Sequence, residues 1–126
     1  MFFALTRHPT LIDVVKKNDI CVECCPISNR VLCYVQDTRC HPARSLLRQG
    51  IKVSISPDDN GFWDVRGVNT DYVYAYLAWD LNLADLKALV QNSIQYSSTD
   101  EEHKEALKKW TQRKWIRFLE YVRGRY

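Results

Sequence analysis

Two short apolar runs limit what this chain can fold into. Residues 20–25 (Ile-Cys-Val-Glu-Cys-Cys) and 51–55 (Ile-Lys-Val-Ser-Ile) read as β-strands, the first stopped by Pro26. The signals around them are helical. Pro9 opens a helix over 9–17 with Leu11, Val14 and Val15 on one face, broken by Asn18 and Asp19. Ser28 or Asn29 caps a segment carrying Val31, Leu32 and Val35. Pro42 opens a helix with Leu46 and Leu47, and Gly50 ends it. Strands that alternate with helices pair in parallel, which predicts an α/β fold. A parallel pair is normally buried on both faces, and two strands leave both edges open. The pattern therefore calls either for pairing with another chain or for strands beyond these two.

After the second strand, residues 57–68 read as a loop. Asn69 or Thr70 caps a helix with Val73, Tyr76 and Leu77 inward. Asn82 caps the next, with Leu83, Leu86, Val90 and Ile94 at helical spacing. Ser98 and Glu101 have the spacing of a capping box. The last helix places Leu107, Thr111, Trp115, Phe118 and Val122 on one face, with Glu105 and Lys109 as an i, i+4 pair.

With 46% hydrophobic and 26% charged residues and only four Gly and four Pro, the chain is neither disordered nor low in complexity. Its net charge of +3 lies in residues 100–126, where eight basic side chains face five acidic ones. That is the basic end of a helix, not the broad basic face of a nucleic-acid binder, so no nucleic-acid partner is expected. No run approaches the ~20 apolar residues of a membrane helix, so no membrane partner is expected. The apolar start ends at Thr6-Arg7-His8, too early for a signal peptide.

Among candidates for chemistry, Ser54-Ile55-Ser56-Pro57-Asp58-Asp59 stands out. Two carboxylates follow directly on a strand, at the edge where parallel α/β folds bind ligands. One can ligate a metal while its neighbour accepts a hydrogen bond from a substrate. Pro-Asp-Asp-Asn-Gly is also rich in turn formers, and composition alone favours a solvated turn. Cys21 and Cys24 have a zinc-site spacing, but on a strand they face opposite ways, and Cys33 and Cys40 supply no second pair of that kind. The cysteines read as small hydrophobes. His8 and His41, each before a proline, read as local structure at helix starts, and His103 as exposed.

Phe3-Ala4-Leu5 with His8-Pro9, Glu23-Cys24-Cys25-Pro26-Ile27-Ser28-Asn29, Arg39-Cys40-His41-Pro42, Ser56-Pro57-Asp58-Asp59 and Asn92-Ser93-Ile94-Gln95-Tyr96-Ser97 follow one another in an order that resembles the C-terminal portion of the adenosine deaminase family, in its secreted branch. The resemblance implies the last two strands and closing helices of a TIM-type (β/α)8 barrel, with residues 1–126 as the C-terminal part of a metal-dependent hydrolase domain. It implies conversion of adenosine or 2′-deoxyadenosine to the inosine form and ammonia. One Zn2+ activates the water that attacks C6 of the purine. By position, Asp58 is similar to the zinc-binding aspartate and Asp59 to the aspartate that hydrogen-bonds the purine. The family's other zinc ligands and its proton-shuttling glutamate fall upstream of residue 1, and Met1 stands where the family has a catalytic histidine. Pro57 and Asn60 depart from the small polar residue and the proline usual around the paired aspartates. The resemblance further implies an extracellular protein, a purine nucleoside as small-molecule partner and a homodimer. With a single zinc ligand, the isolated chain is expected to be inactive. The alternatives from the residues are a non-catalytic helical interaction module or a degenerate copy, and a cysteine-based metal module.

Overall fold

The computed structural model describes residues 2–64 and 67–125. They fall into two units, Met1–Ser93 and Ile94–Tyr126.

In the first unit, β1 (Val22–Cys24) and β2 (Val53–Ile55) lie side by side in parallel, with Val22 opposite Val53, Glu23 opposite Ser54 and Cys24 opposite Ile55. The Val22 N–H bonds the Lys52 carbonyl at 2.8 Å, and the Ser56 N–H bonds the Cys24 carbonyl at 2.9 Å. Both strands are shorter than the apolar runs that predict them, because the ladder holds only these three positions in register. α1 (Pro9–Lys17) precedes β1, and α2 (Pro26–Val31) and α3 (Ala43–Arg48) make the crossover to β2. α4 (Asn69–Trp79) and α5 (Leu83–Gln95) follow, α5 running past the end of the first unit.

Several helices turn a different face inward than their apolar pattern predicts. α1 buries Ile12 and leaves Leu11 and Val14 exposed. α2 begins at Pro26, earlier than a Ser28 or Asn29 cap would have it. Proline both stops the strand and suits the first helical turn, where a missing N–H costs nothing. Leu32 is the C-cap and Val35 lies beyond the helix. In α4 the inward face is Asp71, Ala75 and Trp79, while Val73, Tyr76 and Leu77 are exposed. That helix is apolar nearly all round, so periodicity selects no face. Its N-cap is Val68. Asn82 behaves as expected: its Oδ1 accepts the N–H groups of Ala84 and Asp85, and Asp85 returns the bond to the Asn82 N–H.

The core gathers Leu5, Ile12, Cys24, Leu46, Val53, Ile55, Ala75, Trp79 and Leu89 around the strand pair. Asn92 on α5 donates to the Val53 carbonyl at 2.8 Å, which ties that helix to β2.

In the second unit, α6 (Glu101–Arg123) is capped by Asp100, whose Oδ1 accepts the His103 N–H at 2.8 Å, and not by Ser98. Glu105 pairs with Lys108 at 2.7 Å, one position short of the predicted Lys109. Leu107, Trp110, Ile116, Phe118, Leu119 and Tyr121 are exposed along it.

Leu46 is fully buried beside the strands. Leu46→Ala is expected to cost about 2–5 kcal/mol, read as a lowered urea midpoint with unchanged slope. A shift equal to that of an exposed-site control such as Leu77→Ala would show that this core does not hold the unit together.

Candidate active site

The parallel pairing sends both strands out at the same edge. From β1 the chain passes through Cys25 into α2, and from β2 through Ser56 and Pro57 to the paired aspartates. These two exits meet. The hydroxyl of Ser28, in the first turn of α2, donates to Oδ2 of Asp58 at 2.7 Å. Ser28 is fully buried and Asp58 exposed. A buried hydroxyl therefore holds one oxygen of a carboxylate that faces outward.

The backbone at Asp58 is left-handed, with φ 53°. Aspartate tolerates that conformation better than most residues with a Cβ. Asp59 follows with φ −82° and caps a 3-10 turn, Asn60–Trp63, through its carbonyl, which accepts the Phe62 N–H at 2.9 Å. Its carboxylate makes no capping bond. The loop expected over 57–68 thus contains one helical turn, and its residues 65 and 66 lie outside the described residues, as does Met1. The turn chemistry of Pro57-Asp58-Asp59-Asn60-Gly61 and the strand-end location are both real. The turn is what presents the two carboxylates.

Asp58 fits the role of one metal ligand: a carboxylate at the ligand edge, exposed, oriented by a hydroxyl at one oxygen. Among the described residues, no three His, Cys, Asp or Glu side chains form a group that could hold a metal ion.

Beneath this edge lies a group of buried polar side chains. His41 is 2% exposed and packed between the rings of Phe3 and Trp79. Its Nδ1 accepts the Ala43 N–H at 3.2 Å, which assigns the proton to Nε2. Nε2 then donates to Asn29 Oδ1 at 3.0 Å, with Cys24 Sγ 3.8 Å away. Burial pushes the His41 pKa down to about 4 and the Cys24 thiol well up. A cysteine, a histidine and an asparagine meet here, with the thiol buried and its burial opposing ionisation. The prolines after His8 and His41 conceal how different the two are, since His8 is exposed at the start of α1. All five cysteines are free thiols. Cys24 is buried, Cys21 and Cys25 half-buried, and Cys33 and Cys40 exposed.

Sequence reasoning missed two residues of the site. Ser28 reads as a helix cap and holds Asp58 instead. Asp71 carries no signal in the sequence, yet it is fully buried in α4 and its Oδ1 accepts the Ile27 N–H at 2.9 Å.

Two parallel strands joined through helices make an α/β fold, and its likeness to solved structures identifies it as the C-terminal part of a TIM-type barrel. An adenine deaminase from Arthrobacter aurescens superposes with a TM-score of 0.77 over 86% of this chain and 34% of its own, at 20% identity. The N6-methyl-AMP deaminase of Arabidopsis thaliana superposes with a TM-score of 0.68 over 75% of this chain and 28% of its own, at 23% identity. At the level of sequence, the model of the adenosine deaminase family matches residues 4–113. Adenosine deaminase 2 of Dictyostelium discoideum is 43% identical over 97% of this chain and 23% of its own length. Adenosine deaminase 2 of Sus scrofa is 41% identical over 97% of this chain and 25% of its own. The chain belongs to the adenosine deaminase family, and it spans about a quarter of the length of these curated relatives.

The buried neutral histidine predicts a pH dependence. An unfolded chain protonates His41 near its ordinary pKa of 6.5, whereas the folded chain holds the proton off until about pH 4. The unfolded state therefore binds more protons in this window. The contribution is fully present above pH 6.5 and is lost as the pH falls toward 4, up to about 3 kcal/mol. The urea midpoint of the wild type relative to His41→Asn should narrow between pH 7 and pH 4.5. A difference that does not change with pH would exclude burial of a neutral imidazole.

Proposed function

We propose that residues 1–126 are the C-terminal part of an adenosine deaminase-like, metal-dependent hydrolase domain. The whole domain hydrolyses adenosine or 2′-deoxyadenosine to the inosine form, releasing ammonia. The observation that carries this reading is the Asp58–Asp59 pair at the exit of β2, with Asp58 held by the buried Ser28 hydroxyl, in a chain that matches the family from residue 4 to 113. The relatives named adenosine deaminase 2 favour a nucleoside over a nucleotide or free base. The resemblance to the family's secreted branch extends the proposal to a whole protein that is secreted and forms a homodimer.

In this reading Asp58 would hold a zinc ion through its carboxylate, which Ser28 orients. Bound zinc would supply a water acidic enough to react near neutral pH. The Ser28 hydroxyl spends its proton on Asp58 Oδ2, which limits rotation of that carboxylate. Asp59 would accept a hydrogen bond from the purine and so fix which edge of the base faces the reacting water. Alone, the chain offers one carboxylate where a catalytic zinc takes about three protein ligands. The isolated chain is expected to be inactive.

The test is a chimera in which this chain replaces the matching C-terminal quarter of the Dictyostelium relative. The chimera should convert adenosine to inosine, followed by ultraviolet absorbance, while the 126-residue chain should not. Asp58→Ala should lower retained zinc by about tenfold or more and abolish turnover. Asp59→Ala should keep the zinc and raise KM for adenosine by about 10–100-fold, the loss of a hydrogen bond to a charged group. A folded but inert chimera would point to the non-catalytic reading. Full zinc content in Asp58→Ala would remove that residue from its role.

A further inference from the structure

Asp71 is a carboxylate with 0% exposure whose Oδ2 is buried without a hydrogen-bond partner. Its burial raises its pKa, so its placement opposes stability on that account. What it obtains from the rest of the fold is the bond from the Ile27 N–H to Oδ1.

That bond lands at a sensitive place. α2 has only six residues, too few to be stable without tertiary support. Its N-cap, Cys25, offers no side-chain bond, and Pro26 at the first position has no N–H. Ile27 carries the first free amide of the helix, and Asp71 on α4 caps it from outside. Ser28 is the next residue, and its hydroxyl holds Asp58. One helical turn thus has its backbone fixed by one aspartate and fixes another with its side chain.

We infer that Asp71 is a positioning residue for the site. By holding the Ile27 amide it sets the start of α2, and through Ser28 it sets the carboxylate of Asp58. Asp71 touches neither metal nor substrate. The inference rests on the deaminase reading for its catalytic consequence and on the hydrogen bonds alone for its structural part. A serine hydroxyl 2.7 Å from its acceptor tolerates little displacement. Misplacement of a reacting group by about 1 Å costs on the order of 10²-fold in rate.

The test uses the same chimera. Asp71→Ala should lower kcat for adenosine about tenfold or more while changing KM less than about threefold, since substrate binding through Asp59 is left in place. Asp71→Asn keeps an oxygen acceptor for the Ile27 amide and should recover kcat to within about threefold of the wild type. Ser28→Ala should match Asp71→Ala, and the double variant should be no worse than the larger single loss, because both act through one contact. Peptides covering residues 26–31 should exchange amide hydrogen faster in Asp71→Ala, with the rest of the chain unchanged. Additive losses, an Asp71→Asn variant as impaired as Asp71→Ala, or global unfolding in Asp71→Ala would each overturn the positioning role. An unsubstituted chimera without turnover would defeat the deaminase reading alone. The exchange pattern and the zinc content of the same variants would then decide whether Asp71 sets Asp58.

Discussion

Three residue pairs of parallel sheet, Val22 with Val53, Glu23 with Ser54 and Cys24 with Ile55, determine how the first unit is arranged. Parallel strands cannot be joined by a tight turn, so residues 25–52 have to climb back over one face as helices. Both strands then end at the same edge. Whatever follows each strand in sequence is delivered there: α2 after β1, the paired aspartates after β2. The meeting of Ser28 with Asp58, thirty positions apart, follows from the direction of pairing. An antiparallel pair would send the two exits to opposite ends.

The polar groups buried under that edge are satisfied to different degrees. His41 gives and receives one hydrogen bond and stays neutral, so its burial is cheap at neutral pH. Trp79 donates its indole N–H to the Thr38 carbonyl at 2.9 Å and closes the crossover against α4. Asn92 does the same between α5 and β2. Asp71 alone carries an unmatched oxygen among these, and the amide it holds, that of Ile27, is one residue from the serine that bonds Asp58.

How much of this could be read from the residues varies with the range of the interaction. The strands, their parallel pairing and the Asn82 cap are local or follow from element order, and all were legible. The Asp58–Asp59 pair was legible in position, although composition favoured a plain turn. The inward face of α4 was not legible. Val73, Tyr74, Tyr76 and Leu77 offer as much apolar surface as Ala75 and Trp79, and the face that won carries an aspartate. Ser28 and Asp71 were missed for a related reason. A buried polar residue is explained by its partner, and Asp58 lies 30 residues from Ser28, as Asp71 lies 44 from Ile27. At the start of α6, Ser98 and Asp100 are both able to cap, and the aspartate's double engagement with the His103 amide and ring decides between them.

The left-handed backbone at Asp58 narrows the alphabet available to that position. Glycine, asparagine and aspartate adopt φ near +53° at little cost, but only aspartate also carries a negative charge there. Glutamate, the nearest chemical substitute, has the charge without the conformational tolerance and adds a methylene that would lift the carboxylate off Ser28. Conformation and charge are thus required of one side chain at once. A protein engineer who wished to change the ligand chemistry at this edge would first have to rebuild the turn.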